Sequence, residues 1–460
     1  MALNKTVSTI ILLGLLTAGC SQREEILPGK REALRSPNPE ALLDGAVDAG
    51  EAEDGDVTED GDALDQAAAN QALPIELPAP VNHANWTHPG GDASHGVAHA
   101  ALSTTPQVVW STGIGAGNSR RNRLTAEPVV QDGRIFTLDS RSTVAAVSAE
   151  TGAVLWQAGL APSIEGSDDA TGGGLAVGSG ILAVTTGFGE LSALDPETGD
   201  VLWQQKLEAP VSGAPAVADG IVYVGGRDNR AWGVDATNGR VKWQLSNNPE
   251  ITGVLGSGSP ALTDRLALFP FASGEVMAAL RKSGVRVWSG VVSGERSGRA
   301  YTGVRDFSGV PVVADGVIYA GTTSGRLGAM STGGERIWTA REGAADAVSV
   351  AGGSVFVVSD QAELLRLDAE TGERIWGVPL PYYTKERQRR RKGIFANYGP
   401  VLAGGRLWVG SSDGTLRGFD PVDGSEVAQV AIPGGAASRL LVVNGTAYLL
   451  SGKGQLLALR

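Results

Sequence analysis

The sequence predicts an all-β protein, an eight-bladed β-propeller of four-stranded antiparallel blades whose N- and C-terminal strands close the ring. Three observations predict it. First, the unit LDPETGDVLW at 194–203 recurs as VDATNGRVKW at 234–243 and LDAETGERIW at 367–376. Looser copies are VSAETGAVLW at 147–156, KSGVRVW at 282–288, MSTGGERIW at 330–338 and FDPVDGSEVA at 419–428. Gly152, Gly199, Gly239, Gly284, Gly334 and Gly372 each stand four residues before a Trp. A Gly there supplies the positive φ of a tight turn, and the aromatic then falls at a fixed depth in the next strand. Second, the copies recur every 40–50 residues or so, the period of a propeller blade. Third, the chain begins its folded part with a lone Trp-bearing strand, PQVVWSTGIG at 106–115, and ends at 440–460 with strands that lack a fourth.

The N-terminus is read before the blades. A weakly basic start to Lys5 leads into an apolar run from Thr6 to Ala18 and then Gly19-Cys20. The run is too short to span a bilayer, so residues 1–19 read as a secretory signal. Small residues ending on a cysteine match a lipoprotein signal, with Cys20 as the lipidated residue. Thr17 departs from the Leu usual three positions before that cysteine; lipidation is the favoured reading, and an ordinary signal peptide that happens to contain a Cys is its alternative. Cys20 is the only cysteine of 460 residues, which suits an oxidising compartment because no stray intramolecular disulfide can form.

Residues 20–80 read as a lipid-anchored, disordered acidic linker, with EAEDGDVTEDGDALD at 51–65 as its extreme. Much like charge and little apolar content do not offset the entropy of ordering. Sixty such residues span roughly 40–45 Å on average. Residues 21–80 hold 4 basic and 15 acidic residues, so most of the net charge of −12 lies there. The folded part is nearly neutral, which argues against a nucleic-acid partner.

Residues 81–105 contain all four histidines, His83, His88, His95 and His99. Four imidazoles so close raise zinc binding. Their spacing matches no standard ligand pattern, and Gly96 weakens any helix that would align them. The segment reads instead as an irregular strap packed on the propeller through Trp86.

From 106 to 460 the blades follow. PAVADGIVYVGGRDNRAWGVD at 215–235 is typical: two apolar runs split by a DG turn, then a third after a second turn. That is a three-strand meander, and the Trp strand makes the fourth. Trp110, Trp156, Trp203, Trp243, Trp288, Trp338, Trp376 and the position of Ala428 count eight blades. Ala428 breaks the pattern, so the interface between the seventh and eighth blades is expected to be the least well stapled. With 65 Gly, 3 Met and no long amphipathic pattern, helices are expected to be scarce.

The repeat resembles that of the quinoprotein-type propellers. Longer stretches, NWTHPGGDASH at 85–95, RLTAEPVVQDGRIFTLD at 123–139 and GPVLAGGRLWVGSSDG at 399–414, resemble the BamB family of outer-membrane β-barrel assembly lipoproteins in its alphaproteobacterial type. That resemblance implies a non-enzymatic scaffold of the β-barrel assembly (BAM) complex, anchored by lipid in the outer membrane and facing the periplasm. Its implied partners are the POTRA domains of BamA, other subunits of that complex and unfolded outer-membrane proteins, with no cofactor. The family's contact loops carry over to Val254 and Leu255 before the fourth blade, and to Arg305, Asp306 and Phe307 before the fifth. The loop arginine is missing, and Ser308 replaces a second acid. On this reading Leu255, Tyr301 and Phe307 form an apolar patch bordered by Arg305 and Asp306. They fold back as filling if it fails.

The rival is a periplasmic quinone-dependent dehydrogenase. Many such enzymes carry adjacent cysteines or a haem-binding cysteine pair, and this chain has neither. No acid beside a histidine or nucleophile marks a catalytic site, and no metal site is expected. The run TKERQRRRKG at 384–393 places Lys385, Arg387, Arg389, Arg390, Arg391 and Lys392 in one loop. It is either a solvated insertion or a contact for anionic lipid or an acidic partner.

Overall fold

The computed structural model describes residues 70–460 except 98, 212, 249, 251–252, 257, 295 and 297–302. The signal segment, Cys20, most of the acidic linker and Tyr301 lie outside the described residues. Eight sheets of four antiparallel strands form an eight-bladed β-propeller. Seven blades are continuous, at 129–159, 173–206, 216–246, 261–291, 312–340, 349–379 and 397–431. The eighth joins the three strands of 441–459 to Val108–Gly113. Trp110 stands opposite Ala458 and Gly113 opposite Gln455, so the two ends of the propeller chain close the ring as expected. Closure leaves no free edge on the perimeter of that sheet's third strand.

Burial follows from stacking blade on blade. A second strand such as Ile181–Thr186 is buried along its whole length because a neighbouring blade covers each face. The fourth strand Val201–Lys206 lies on the perimeter, with exposed positions flanking a half-buried Trp203. This is why the inner runs of the sequence are almost continuously apolar while the Trp strands alternate.

The repeated unit forms the turn between third and fourth strands. The Asp195 carboxylate accepts the N–H groups of Glu197 (2.7 Å) and Thr198 (3.2 Å). The N–H of Gly199 closes back on the Asp195 carbonyl at 2.9 Å. Gly199 has φ +80°, and a Cβ there would stand 2.6 Å from the Trp156 ring. The glycine therefore serves both the turn and the close approach of a tryptophan from the preceding blade. The same ring-on-glycine contact recurs for Trp110 and Gly152, Trp203 and Gly239, Trp243 and Gly284, Trp288 and Gly334, Trp338 and Gly372, and Trp376 and Gly424.

Ala428 has a structural reason. The eighth blade reaches its fourth strand through chain ends rather than a turn, so there is no turn glycine for a tryptophan at 428 to cover. The bulk has moved to the second strand. In the first, third, fifth and eighth blades a row runs aromatic, small, Trp across three strands, as in Tyr223, Gly233 and Trp243. In the seventh blade it reads Trp408, Gly418, Ala428, with Trp408 fully buried. The expected weak interface is thus filled from a different strand.

The strap is longer than the boundary at 81. Among the described residues its contacts with the ring reach back to Asn70, whose side-chain amide exchanges hydrogen bonds with the backbone of Gly377 (2.9 and 3.0 Å). Ile75 and Leu77 pack on the sixth blade, and Arg366 donates to the Leu73 carbonyl at 2.6 Å. The strap then crosses the innermost strands. Trp86 pairs with Val130, the Thr87 carbonyl accepts from Val177 (2.9 Å), the Ala93 carbonyl from Leu262 (2.7 Å) and the Ser94 carbonyl from Val313 (2.9 Å). Ala100 donates to Leu402 (3.0 Å), and the His83 carbonyl accepts from Asn444 (2.8 Å). Innermost strands present an unpaired edge to the channel, and the strap supplies partners that would otherwise be missing there.

Candidate partner-binding face

In each blade the first-to-second and third-to-fourth turns share one end of the ring with the strap. The loops that enter each blade lie at the other end, and the candidate residues stand there. Asp306 is buried, and its carboxylate accepts the N–H of Val254 at 2.7 Å and of Phe307 at 2.8 Å. One side chain thereby ties the loop before the fourth blade to the loop before the fifth. Ser308 ties the latter to the sixth blade through a short hydrogen bond to the Ala344 carbonyl.

The structure brings Val254, Leu255 and Asp306 together and separates Phe307 from them. Leu255 is 41% exposed, Val254 is half-buried and Arg305 is exposed. Phe307 is 0% exposed, packed among Leu268, Val276, Ala278 and Ile318 between the fourth and fifth blades. The expected exposed patch of Leu255 and Phe307 is therefore corrected. Phe307 pairs with Thr322 and faces inward, where its ring escapes water. Asp306 is likewise a buried brace rather than a charged rim.

Val254 and Leu255 overhang a central cavity of about 510 Å³, which also reaches Glu127, Asp346, Tyr398 and Arg439. Arg439 is 6% exposed, and its Nε stands 3.9 Å from Glu127 and 4.0 Å from Asp346. These gaps are wider than hydrogen bonds. Burial pushes the Glu127 carboxyl up to about 7, with Asp346 adding to the shift and Arg439 opposing it. Burial also raises Asp346, against Arg439 and the N–H groups of Gly399 and Ala347. Burial and the Asp346 charge push the Tyr398 hydroxyl up to about 12. This axial cluster was not singled out from the sequence. Its one visible signal is a charged residue just ahead of an innermost strand, in Glu127-Pro128-Val129 and Arg439-Leu440-Leu441.

The four histidines do not converge. His88 Nε2 accepts the Val217 N–H (2.9 Å), His95 Nδ1 donates to the Pro311 carbonyl (2.9 Å), and His99 bridges Pro78 and Gly405. These three imidazoles fasten the strap to different parts of the ring, while His83 stands edge-on to the Trp86 ring. Among the described residues no three His, Cys, Asp or Glu side chains are grouped to hold a metal ion.

Residues 140–378 match the family described as outer membrane protein assembly factor BamB. The factor of that name from Yersinia pestis is 26% identical over 361 residues, covering 75% of this chain and 88% of its own. That of Escherichia coli K12 is 25% identical over 363 residues, covering 75% and 89%. The crystal structure of BamB from Moraxella catarrhalis superposes with a TM-score of 0.63 at 22% identity, over 77% of this chain and 100% of that one. A quinohemoprotein alcohol dehydrogenase from Comamonas testosteroni gives 0.61 at 16% identity, over 82% and 80%. At such identities the two structures speak for the fold alone. The matched segment exceeds half of the sequence, and the chain belongs to the outer membrane protein assembly factor BamB family.

Proposed function

We propose that this protein is a non-enzymatic scaffold of the machinery that assembles β-barrel proteins in the outer membrane. A lipid on Cys20 holds it there, facing the periplasm, and the acidic linker that follows Cys20 is the tether. Its principal partner is the periplasmic POTRA region of the central barrel protein BamA, with other subunits and unfolded barrel proteins as further contacts.

The observation that carries this reading is the brace between Asp306 and Val254. It fixes two loops from adjacent blades side by side and leaves Leu255 exposed at the mouth of the central cavity. An exposed apolar residue on one braced loop, with an exposed cation, Arg305, beside the brace in the other, has the composition of a binding hot spot. Val254, Leu255 and Arg305 form the contact, while Asp306 and Phe307 hold its shape.

The test is co-purification from detergent-solubilised envelopes. The native chain brings down a large barrel protein with several POTRA domains, and Leu255→Ser with Arg305→Glu abolishes that capture without altering the melting temperature. Capture that survives both changes places the contact elsewhere. Failure of the native chain to capture any such protein, together with calcium-dependent dye reduction on adding a quinone, replaces the scaffold by an enzyme. Mass spectrometry of the N-terminal peptide tests the anchor: acyl groups on Cys20 are expected, and an unmodified start at another residue refutes it.

A further inference from the structure

The basic run at 385–392 is a built hairpin. Tyr383 pairs with Ile394, and the Thr384 N–H donates to the Gly393 carbonyl at 3.0 Å. A short 3-10 turn, Gln388–Arg390, forms the tip. The Arg391 guanidinium lies 4.8 Å over the Tyr383 ring while its Nε donates to the Glu386 carbonyl at 3.0 Å. The backbone is therefore fixed, and the cations are displayed rather than dispersed.

All six, Lys385, Arg387, Arg389, Arg390, Arg391 and Lys392, are exposed. Among the described residues none of them forms an ion pair, whereas Arg281, Arg296 and Arg417 do. Two apolar side chains stand at the base, Ile394 at 58% exposure and Tyr383 at 38%. Unpaired cations above an exposed aromatic and an aliphatic suit an interface between water and an anionic bilayer, where arginine meets phosphate and amphipathic rings sit at headgroup depth.

The position of the hairpin favours a membrane over an acidic protein. It follows directly on the outer strand of the sixth blade, Arg374–Pro379. The described chain enters along the same strand: Gln71 donates to Ile375 (2.9 Å), and Asn70 lies one step nearer Pro379, against Gly377. Asn70 and Gln71 thus lie against the strand from which the hairpin departs. A lipid on Cys20 would raise the local concentration of a bilayer at this edge.

We infer that the hairpin 383–394 is a docking surface for an anionic phospholipid bilayer, its cations meeting headgroup phosphates and Tyr383 and Ile394 resting at the interface. The choice of a bilayer rests on the lipoprotein reading, but the hairpin is testable without the lipid.

The experiment is co-sedimentation of the full chain carrying Cys20→Ser with vesicles of phosphatidylcholine, alone or mixed with phosphatidylglycerol. Binding to the mixed vesicles is expected, with little to phosphatidylcholine and steep loss as salt rises. Each cation near such a surface contributes about fivefold at low salt. Arg389→Gln, Arg390→Gln and Lys392→Gln together therefore weaken binding on the order of 100-fold. The three side chains are exposed and unpaired, so the variant melts like its parent, which separates lost binding from lost folding. Equal binding to both vesicle types, or undiminished binding by the triple variant, overturns the inference. Retention on polyglutamate that the triple variant loses, without vesicle binding, reassigns the hairpin to an acidic polypeptide. Release from vesicles by inorganic phosphate, but not by sodium chloride of equal ionic strength, reassigns it to free phosphate. Co-purification of the barrel protein does not depend on this hairpin, so either reading can fail alone.

Discussion

Trp203 of the second blade lies against Gly239 of the third, and its indole nitrogen donates to the Ala236 carbonyl at 2.9 Å. The contact joins two blades that share no strand pairing. A Cβ on Gly239 would stand 2.6 Å from the ring, at φ +74°. Gly239→Ala therefore meets both backbone strain and a steric clash. It is expected to destabilise by about 2–4 kcal/mol, and Trp203→Ala by about 3 kcal/mol through lost packing. Urea unfolding followed by tryptophan fluorescence and circular dichroism checks both. Two variants that unfold at the parent's midpoint would show that the staple is ornamental.

In the seventh blade the same volume sits on another strand. A Cβ on Gly418 would lie 3.0 Å from the Trp408 ring and 3.2 Å from the Ala428 methyl, so the space over Ala428 is filled. Ala428→Trp alone overpacks it and is expected to cost about 1–3 kcal/mol. Adding Trp408→Phe restores a row like that of the first blade, Phe136, Ala146 and Trp156, and recovers part of the loss. A double-mutant cycle on melting or urea midpoints measures the coupling. Simple additivity of the two changes would refute the exchange.

How much of this was legible beforehand depends on range along the chain. The blades were legible because each turn, its Asp, its Gly and its Trp lie within ten residues and recur. The strap's histidines were legible as structural only by their poor spacing. Its extension ahead of residue 81 was not, because Ile75 and Leu77 are sparse apolar residues among prolines, and their anchors lie some 300 residues away. Glu127, Asp346 and Arg439 converge from the first, sixth and eighth blades only once the ring has closed. In the sequence each is one more charge in a loop. Phe307 misled for the converse reason: a loop aromatic reads as surface until the clefts between blades are known.

The buried imidazoles give the fold a pH dependence. Burial holds His88 down at about 3, with His95 adding to the shift, and holds His95 at about 4. An unfolded histidine titrates near 6.5. Below that pH the unfolded chain takes up protons that the folded chain refuses, so stability falls as pH drops from about 6.5 towards 4, and further towards 3 for His88. Glu127 acts in the opposite sense. Its folded value of about 7 exceeds its ordinary 4.5, so its contribution is complete below 4.5 and declines as pH rises to 7. Asp346, which burial also raises, acts with Glu127. The two histidines are each displaced at least as far as Glu127, and the melting temperature is expected to fall on acidification. His88→Gln with His95→Gln should flatten that fall, and Glu127→Gln should remove the opposing decline between pH 4.5 and 7. A melting curve as steep in the double histidine variant as in the parent would exclude the strap as the acid-sensitive element.

The loops of the candidate face separate binding from folding at two neighbouring residues. Leu255 is 41% exposed at a loop tip, so Leu255→Ser removes little buried area and is expected to shift stability by less than about 0.5 kcal/mol. Phe307 is fully enclosed between blades, and Phe307→Ala opens a cavity there at a cost of about 3–5 kcal/mol. Asp306→Ala falls between them. It leaves two backbone N–H groups without their acceptor and frees the loop at Val254 from the loop at Phe307. Each stranded donor costs about 1–3 kcal/mol where water cannot reach it. Capture of the barrel protein should then be lost for two different reasons: in Leu255→Ser because the contact is gone, in Asp306→Ala because its geometry is. Thermal melting beside co-purification distinguishes them, with an unchanged midpoint in the first and a lowered one in the second. Full capture by Asp306→Ala would mean that the partner reads Leu255 without the brace, and the two loops would not form one surface.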